Sequence, residues 1–187
     1  MIKAIITDFD GTLFDTFEAN YLAYKEAITK NTVIELSKDM YRKCFGLRFN
    51  EFMESIGIKN IVLKNEIKTE KAKLYPKYFD LIVPNFELIA FLRTMKRNGI
   101  KIAIASTARR ENLLNVLNYF DLTDIFDVIF TGENVMYGKP HPEIYILTMD
   151  KLEVEDSETL IFEDSEVGIQ AAQASGASVI KIKEKLF

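Results

Sequence analysis

Hydrophobic residues gather in five short runs, Ile2–Thr7, Lys101–Ala105, Asp127–Phe130, Thr159–Phe162 and Ala177–Ile182. Each is short and rich in Ile, Val, Phe or Ala, the signature of a buried strand. Between the second and third runs, Leu113, Val116, Leu117 and Phe120 recur at helical spacing within Arg109–Phe120. Ile144, Ile146, Leu147 and Leu152 do the same in Pro142–Leu152, and Val167–Ser175 is an Ala-rich helix that Gly176 stops. Strand, helix, strand, helix predicts parallel strands joined by crossovers, an α/β sheet with helices on both faces. The last run alternates Val179, Ile180 and Ile182 with Lys181 and Lys183, which fits an edge strand protected by charge.

The interval between the first two runs breaks this rhythm. A crossover needs a dozen residues or somewhat more, yet this one extends from Gly11 to Gly99. Its final part, Phe86–Asn98, carries Leu88, Phe91, Leu92 and Met95 on one face and reads as the crossover helix, with Gly99 as its stop. Before it lie further helical stripes: Phe17, Tyr21, Tyr24 and Ile28; Phe52, Met53 and Ile56; Ile67, Leu74 and Tyr78. They predict a helical insertion, a cap of residues 15–81, set into an α/β core of residues 1–14 and 82–187.

Composition changes this picture little. The 187 residues are 48% hydrophobic and 28% charged, ordinary for a globular chain that can bury a core. The net charge of −4, with both signs interspersed, argues against nucleic-acid binding. No apolar run approaches the ~20 residues of a membrane span, and acid interrupts Met1–Asp8 too early for a signal peptide. A cytoplasmic protein, a monomer or weak dimer, is the expectation. The single cysteine, Cys44, excludes an intrachain disulfide and reads as a thiol in a packed helix.

Ligand sites in open parallel sheets collect at the carboxyl ends of the strands. There the first strand delivers Asp8 and Asp10, the second Ser106 and Thr107, and the fourth Glu163, Asp164 and Ser165; Gly138-Lys139-Pro140 follows the third. Alternation along an extended chain puts Asp8 and Asp10 on one side. Carboxylates crowded at the ends of buried strands need compensation. Magnesium suits such oxygen donors, whereas one histidine and one cysteine do not make a zinc site. Lys139, in a loop stiffened by Pro140 and Pro142, suits phosphate; Ser106 can cap the following helix and also meet an anion. His141 reads as an exposed or helix-start residue.

Asp8-Phe9-Asp10-Gly11-Thr12-Leu13-Phe14-Asp15-Thr16 resembles the first signature of the haloacid dehalogenase-like hydrolase superfamily. Ser106, Lys139-Pro140 and Glu163-Asp164-Ser165 stand where its second, third and fourth signatures fall, in order. The pattern is nearest the phosphoglycolate phosphatase and β-phosphoglucomutase branch, with a small α-helical cap. The resemblance implies a Rossmann-like sheet in the strand order third, second, first, fourth, fifth. It implies a Mg2+-dependent phosphatase acting on a small phosphorylated metabolite, with Asp8 the nucleophile and Asp10 the acid and base. Asp8, Asp164 and the main-chain carbonyl of Asp10 would hold the metal, and Glu163 would bind it or orient the site. Ser106, Thr107 and Lys139 would hold the phosphoryl group. Thr16, Asn20 and Arg48 fall where relatives' caps reach substrate. The alternative is a phosphosugar mutase, disfavoured by Asn20 standing where that branch tends to have histidine; a third reading is a non-catalytic binding module.

Overall fold

A computed structural model describes residues 1–183. The chain runs β1 (Ala4–Thr7), β2 (Phe14–Asp15), α1 (Phe17–Asn31), α2 (Lys38–Cys44), α3 (Phe49–Ser55) and α4 (Ile61–Leu74), then a 3-10 segment at Tyr75–Leu81. It continues through β3 (Val83–Pro84), α5 (Phe86–Arg97), β4 (Lys101–Ser106), α6 (Arg110–Tyr119), β5 (Val128–Thr131), α7 (Glu143–Leu152), β6 (Thr159–Glu163), α8 (Glu166–Ala174) and β7 (Ser178–Lys181). These residues form two compact units, Met1–Asp15 with the chain from Val83 onward, and Thr16–Ile82.

The first unit is a five-stranded parallel sheet in the order β5-β4-β1-β6-β7. β1 lies at its centre, with Thr7 paired to Ile104 on one side and to Phe162 on the other. All four of its residues are buried, as a strand covered on both faces requires. Alternation then assigns the faces. Ala4, Ile6, Ala103, Ala105 and Ile161 pack with Ile144, Tyr145 and Met149 of α7 and Ala171 and Ala172 of α8. The opposite face receives α5, which packs on β4, and the Phe91 ring stands 5.9 Å from that of Phe162. The small residues of β4 and α8 let the helices of the first face approach closely.

β7 is an edge strand, as its alternation of apolar residues with lysine predicts, and Lys181 pairs with Glu166. A second, two-stranded antiparallel ribbon, Phe14–Asp15 against Val83–Pro84, had no counterpart in the hydrophobic pattern, being too short to carry one.

The second unit is helical. Tyr21, Ile28, Tyr41, Phe52, Met53, Ile58 and Ile67 are buried in its core, with Phe17, Tyr24, Ile56 and Leu74 packed against it. The three stripes are thus core positions except for Tyr78, which is half-buried and donates its hydroxyl to Glu26. A fourth helix, α2, was not marked by any stripe, since its seven residues bury only Tyr41. The Tyr41 ring is nonetheless central, 5.4 Å from Phe52 and 5.9 Å from Tyr24. Cys44 ends α2, half-buried, with Sγ 3.1 Å from Ser55 Oγ. Among the described residues no helix is long and apolar enough to cross a membrane.

Candidate active site

Strand alternation carries Asp8, one residue beyond β1, onto the same face as Ile6. Its N–H still donates to Phe162 O at 2.9 Å, so the carboxylate is held at the strand end. β6 delivers Glu163 on the face of Ile161, and the loop before α7 brings Lys139 beneath them. The ammonium of Lys139, with 4% of its side chain exposed, donates to Asp8 Oδ1 at 2.7 Å, to Ala105 O at 3.1 Å and to Glu163 Oε1. Its three N–H bonds are therefore committed to the protein.

Glu163 is wholly buried and well satisfied. Oε1 accepts from Lys139 and from the Tyr145 hydroxyl, the latter at 2.8 Å. Oε2 accepts from Asp164 N, Ser165 N and Ser165 Oγ at 3.0 to 3.1 Å. Ser165 also receives the Gly168 N–H and so caps α8. A methyl at Gly168 would fall 1.9 Å from Glu163 Oε1, so only glycine leaves room for this carboxylate. Asp164 is fixed differently, by the buried Thr12 hydroxyl at 2.8 Å. Gly11 lies directly behind it with φ +89°, and a Cβ there would stand 2.3 Å from Asp164 Oδ2.

Asp8, Glu163 and Asp164 each offer an oxygen within 4.8 Å of the others. One ammonium faces these three carboxylates, an imbalance of two charges in a desolvated place. Burial, reinforced by Glu163 and Asp164 and opposed by Lys139, raises the Asp8 pKa well above the carboxylate range. Burial likewise pushes Asp164 up to about 6, against the Thr12 hydrogen bond. Burial works against the charge on Lys139, but Asp8, Tyr145 and Glu163 hold its pKa well above the lysine range. The same burial keeps Tyr145 protonated, hence a donor. The site thus favours either extra protons or a cation. An all-oxygen set with two surplus negative charges fits a hard divalent ion. Because the hydrogen bonds of Glu163 occupy both its oxygens, Asp8 and Asp164 are the better-placed ligands.

The other expected residues distribute as follows. Asp10 is half-buried and its carboxylate is not among the three clustered ones. The extended form ends at this point: Gly11 N donates to Phe14 O, and Asp10 bridges to Phe14. Ser106 ends β4, buried, and Thr107 follows it half-buried. Ser106 does not cap α6, which starts at Arg110; its Oγ accepts from Ala108 N at 3.1 Å, leaving its own proton to donate. Thr16, Asn20 and Arg48 belong to the second unit, the first two buried and Arg48 half-buried at the start of α3. His141 is exposed, and its Nδ1 accepts from Glu143 N at 3.3 Å, the helix-start role expected of it.

Three residues of this arrangement were not singled out from sequence. Thr12 lies inside the first signature, but its partner is 152 residues away. Tyr145 reads simply as an apolar position on α7, and Gly168 as a small residue in an Ala-rich helix. Gly168 does stand in the segment Glu163–Ile169 that carries the fourth signature, close to a charged strand end, and that was the signal available for it.

Residues 5–182 match the sequence model described as Haloacid dehalogenase-like hydrolase. The chain is 31% identical over 181 residues to the phosphorylated carbohydrates phosphatase of Thermotoga maritima, covering 94% of this chain and 82% of that one. It is 29% identical over 191 residues to the β-phosphoglucomutase of Bacillus subtilis, covering 97% and 83%. Among solved structures, CbbY from Rhodobacter sphaeroides in complex with phosphate superposes with a TM-score of 0.90 at 26% identity, covering 98% of this chain and 87% of that one. The ordered signatures, the sheet order and these similarities agree, and the chain belongs to the haloacid dehalogenase-like hydrolase family.

Proposed function

We propose that this chain is a cytoplasmic Mg2+-dependent phosphatase, a monomer or weak dimer, that hydrolyses a small phosphorylated metabolite through an aspartyl phosphate on Asp8. The observation that carries this reading is the pairing of a buried carboxylate with both a lysine and two neighbouring acids at the ends of parallel strands. Lys139 engages Asp8 Oδ1, so Oδ2 is the oxygen to attack phosphorus. As that P–O bond forms, the ester P–O bond breaks and Asp10 delivers its proton to the leaving oxygen. Asp10 then takes a proton from water, whose oxygen attacks the same phosphorus and frees Asp8 and inorganic phosphate. Ser106, Thr107 and Lys139 hold the phosphoryl oxygens, Lys139 by exchanging one of its present acceptors.

Asp8, Asp164 and the carbonyl of Asp10 would hold magnesium, with Glu163 orienting the site or adding an oxygen. The ion supplies neutralisation of the approaching phosphate dianion and of the crowded carboxylates. Residues 15–81 are the helical cap inserted into the core of residues 1–14 and 82–187, and Thr16, Asn20 and Arg48 of that insertion set specificity. The relative in Thermotoga maritima, named for phosphorylated carbohydrates, supports a sugar phosphate or similar metabolite.

A second reading has one observation in its favour, the similarity to β-phosphoglucomutase. Incubating the protein and magnesium with a panel of phosphorylated metabolites separates the two. Free phosphate that disappears with chelator supports the phosphatase. Isomerised sugar phosphate without free phosphate supports the mutase, and no turnover of any substrate supports a binding module.

A further inference from the structure

We propose that Tyr145 is a positioning residue, whose hydroxyl fixes Glu163 so that the ammonium of Lys139 stays on Asp8. The inference rests on the reading of Asp8 as nucleophile and adds a residue to it.

Lys139 is shared between two carboxylates, Asp8 and Glu163. How that single positive charge divides between them depends on what else satisfies Glu163. Oε2 has three donors of its own from the start of α8. Oε1 has two, Lys139 and Tyr145. Tyr145 is completely buried, its ring lies 5.0 Å from Lys139 Nζ, and its hydroxyl reaches Glu163 from the helix that follows the lysine loop. Taking the hydroxyl away would leave Lys139 as the sole donor to Oε1. A buried carboxylate left short of a donor draws harder on the one that remains. Lys139 would then move toward Glu163 and loosen from Asp8, weakening the group that must attack phosphorus while leaving Ser106 and Thr107 in place to hold substrate.

Tyr145→Phe keeps the ring and removes one oxygen. Two readouts test it. The first is the side-chain ammonium signal of Lys139 in 15N-labelled protein, assigned by its loss in Lys139→Met. Three hydrogen bonds and burial should make this signal slow to exchange in the wild type, and Y145F should shift it and speed its exchange. The second is turnover of p-nitrophenyl phosphate with magnesium, where kcat should fall about tenfold and KM stay within about twofold. In a Glu163→Gln background the effect should vanish, since the neutral amide no longer competes for the lysine. An unchanged ammonium signal in Y145F overturns the proposal, as does unchanged kcat. If Y145F alone does not fold, E163Q and Y145F/E163Q decide: equal kcat supports the coupling, and a further tenfold loss overturns it. If the wild type releases no phosphate, the phosphatase reading fails and the ammonium signal alone decides the role of Tyr145.

Discussion

Lys139 Nζ and Asp8 Oδ1 meet at 2.7 Å although their residues lie 131 positions apart. The contact is made under burial, with 4% of the lysine side chain and 10% of the aspartate side chain exposed. A pair so desolvated contributes little net stability, because removing two ions from water offsets most of their attraction. In the proposed mechanism its value lies in holding the attacking carboxylate beside a positive charge. Four consequences can be measured.

Asp8→Asn removes the proposed nucleophile and keeps the shape. Phosphate release should fall at least about a thousandfold, while circular dichroism and the unfolding transition remain cooperative. Lys139 keeps Glu163 as a partner in this variant, so folding should survive. Turnover near the wild-type rate would exclude Asp8 from the chemistry.

Lys139→Met has a different signature. It leaves Asp8 and Glu163 without their shared cation, and stability at neutral pH should drop by about 3–5 kcal/mol in urea unfolding. The loss should shrink toward pH 5, where protonation relieves the stranded Asp8, whose pKa burial already raises. A variant as stable as the wild type at pH 7.5 would contradict the pairing.

Gly168→Ala tests the packing that makes room for Glu163. The added methyl would sit 1.9 Å from Oε1, and Glu163 has no exposed direction in which to retreat. Helix propensity alone favours alanine by about 1 kcal/mol, so a net destabilisation of about 2 kcal/mol or more would show the clash dominating. A stabilised variant would show that Glu163 moves freely.

The pH dependence follows from Asp164, whose pKa burial pushes up to about 6. A carboxyl whose folded pKa is raised binds more protons folded than unfolded. In metal-free protein its contribution to stability therefore declines as pH rises from about 4 through 6. Magnesium competes with those protons, so it should raise the thermal midpoint little at pH 5 and by several degrees at pH 7.5. Equal shifts at the two pH values would contradict binding at these carboxylates.

Much of this was legible in the sequence, for identifiable reasons. The strand runs Ala4-Ile5-Ile6 and Ile102-Ala103-Ile104 are short and apolar because both faces are covered, and parallel order follows from the helices between them. Residues at the strand ends, Asp8, Ser106, Glu163 and Asp164, could be named because a sheet gathers its carboxyl ends together. What was not legible depends on geometry that periodicity does not encode. Helix α2 buries one tyrosine in seven residues and leaves no stripe. The turn after Asp10, closed by Gly11 N on Phe14 O, is set by backbone hydrogen bonds that no hydrophobic pattern marks. Tyr145 occupies a position where any large apolar residue would pack, and only its hydroxyl, aimed at Glu163, distinguishes it.

The most direct test of the account is to trap the intermediate. The enzyme is mixed with magnesium and a turned-over phosphate ester, quenched within one turnover, and treated with borohydride, which reduces an acyl phosphate to an alcohol. Mass spectrometry of the N-terminal peptide should then find Asp8 converted to homoserine, and only when substrate was present. Full turnover with Asp8 unmodified, or with the reduced residue elsewhere in the chain, would contradict Asp8 as the group that takes up the phosphate.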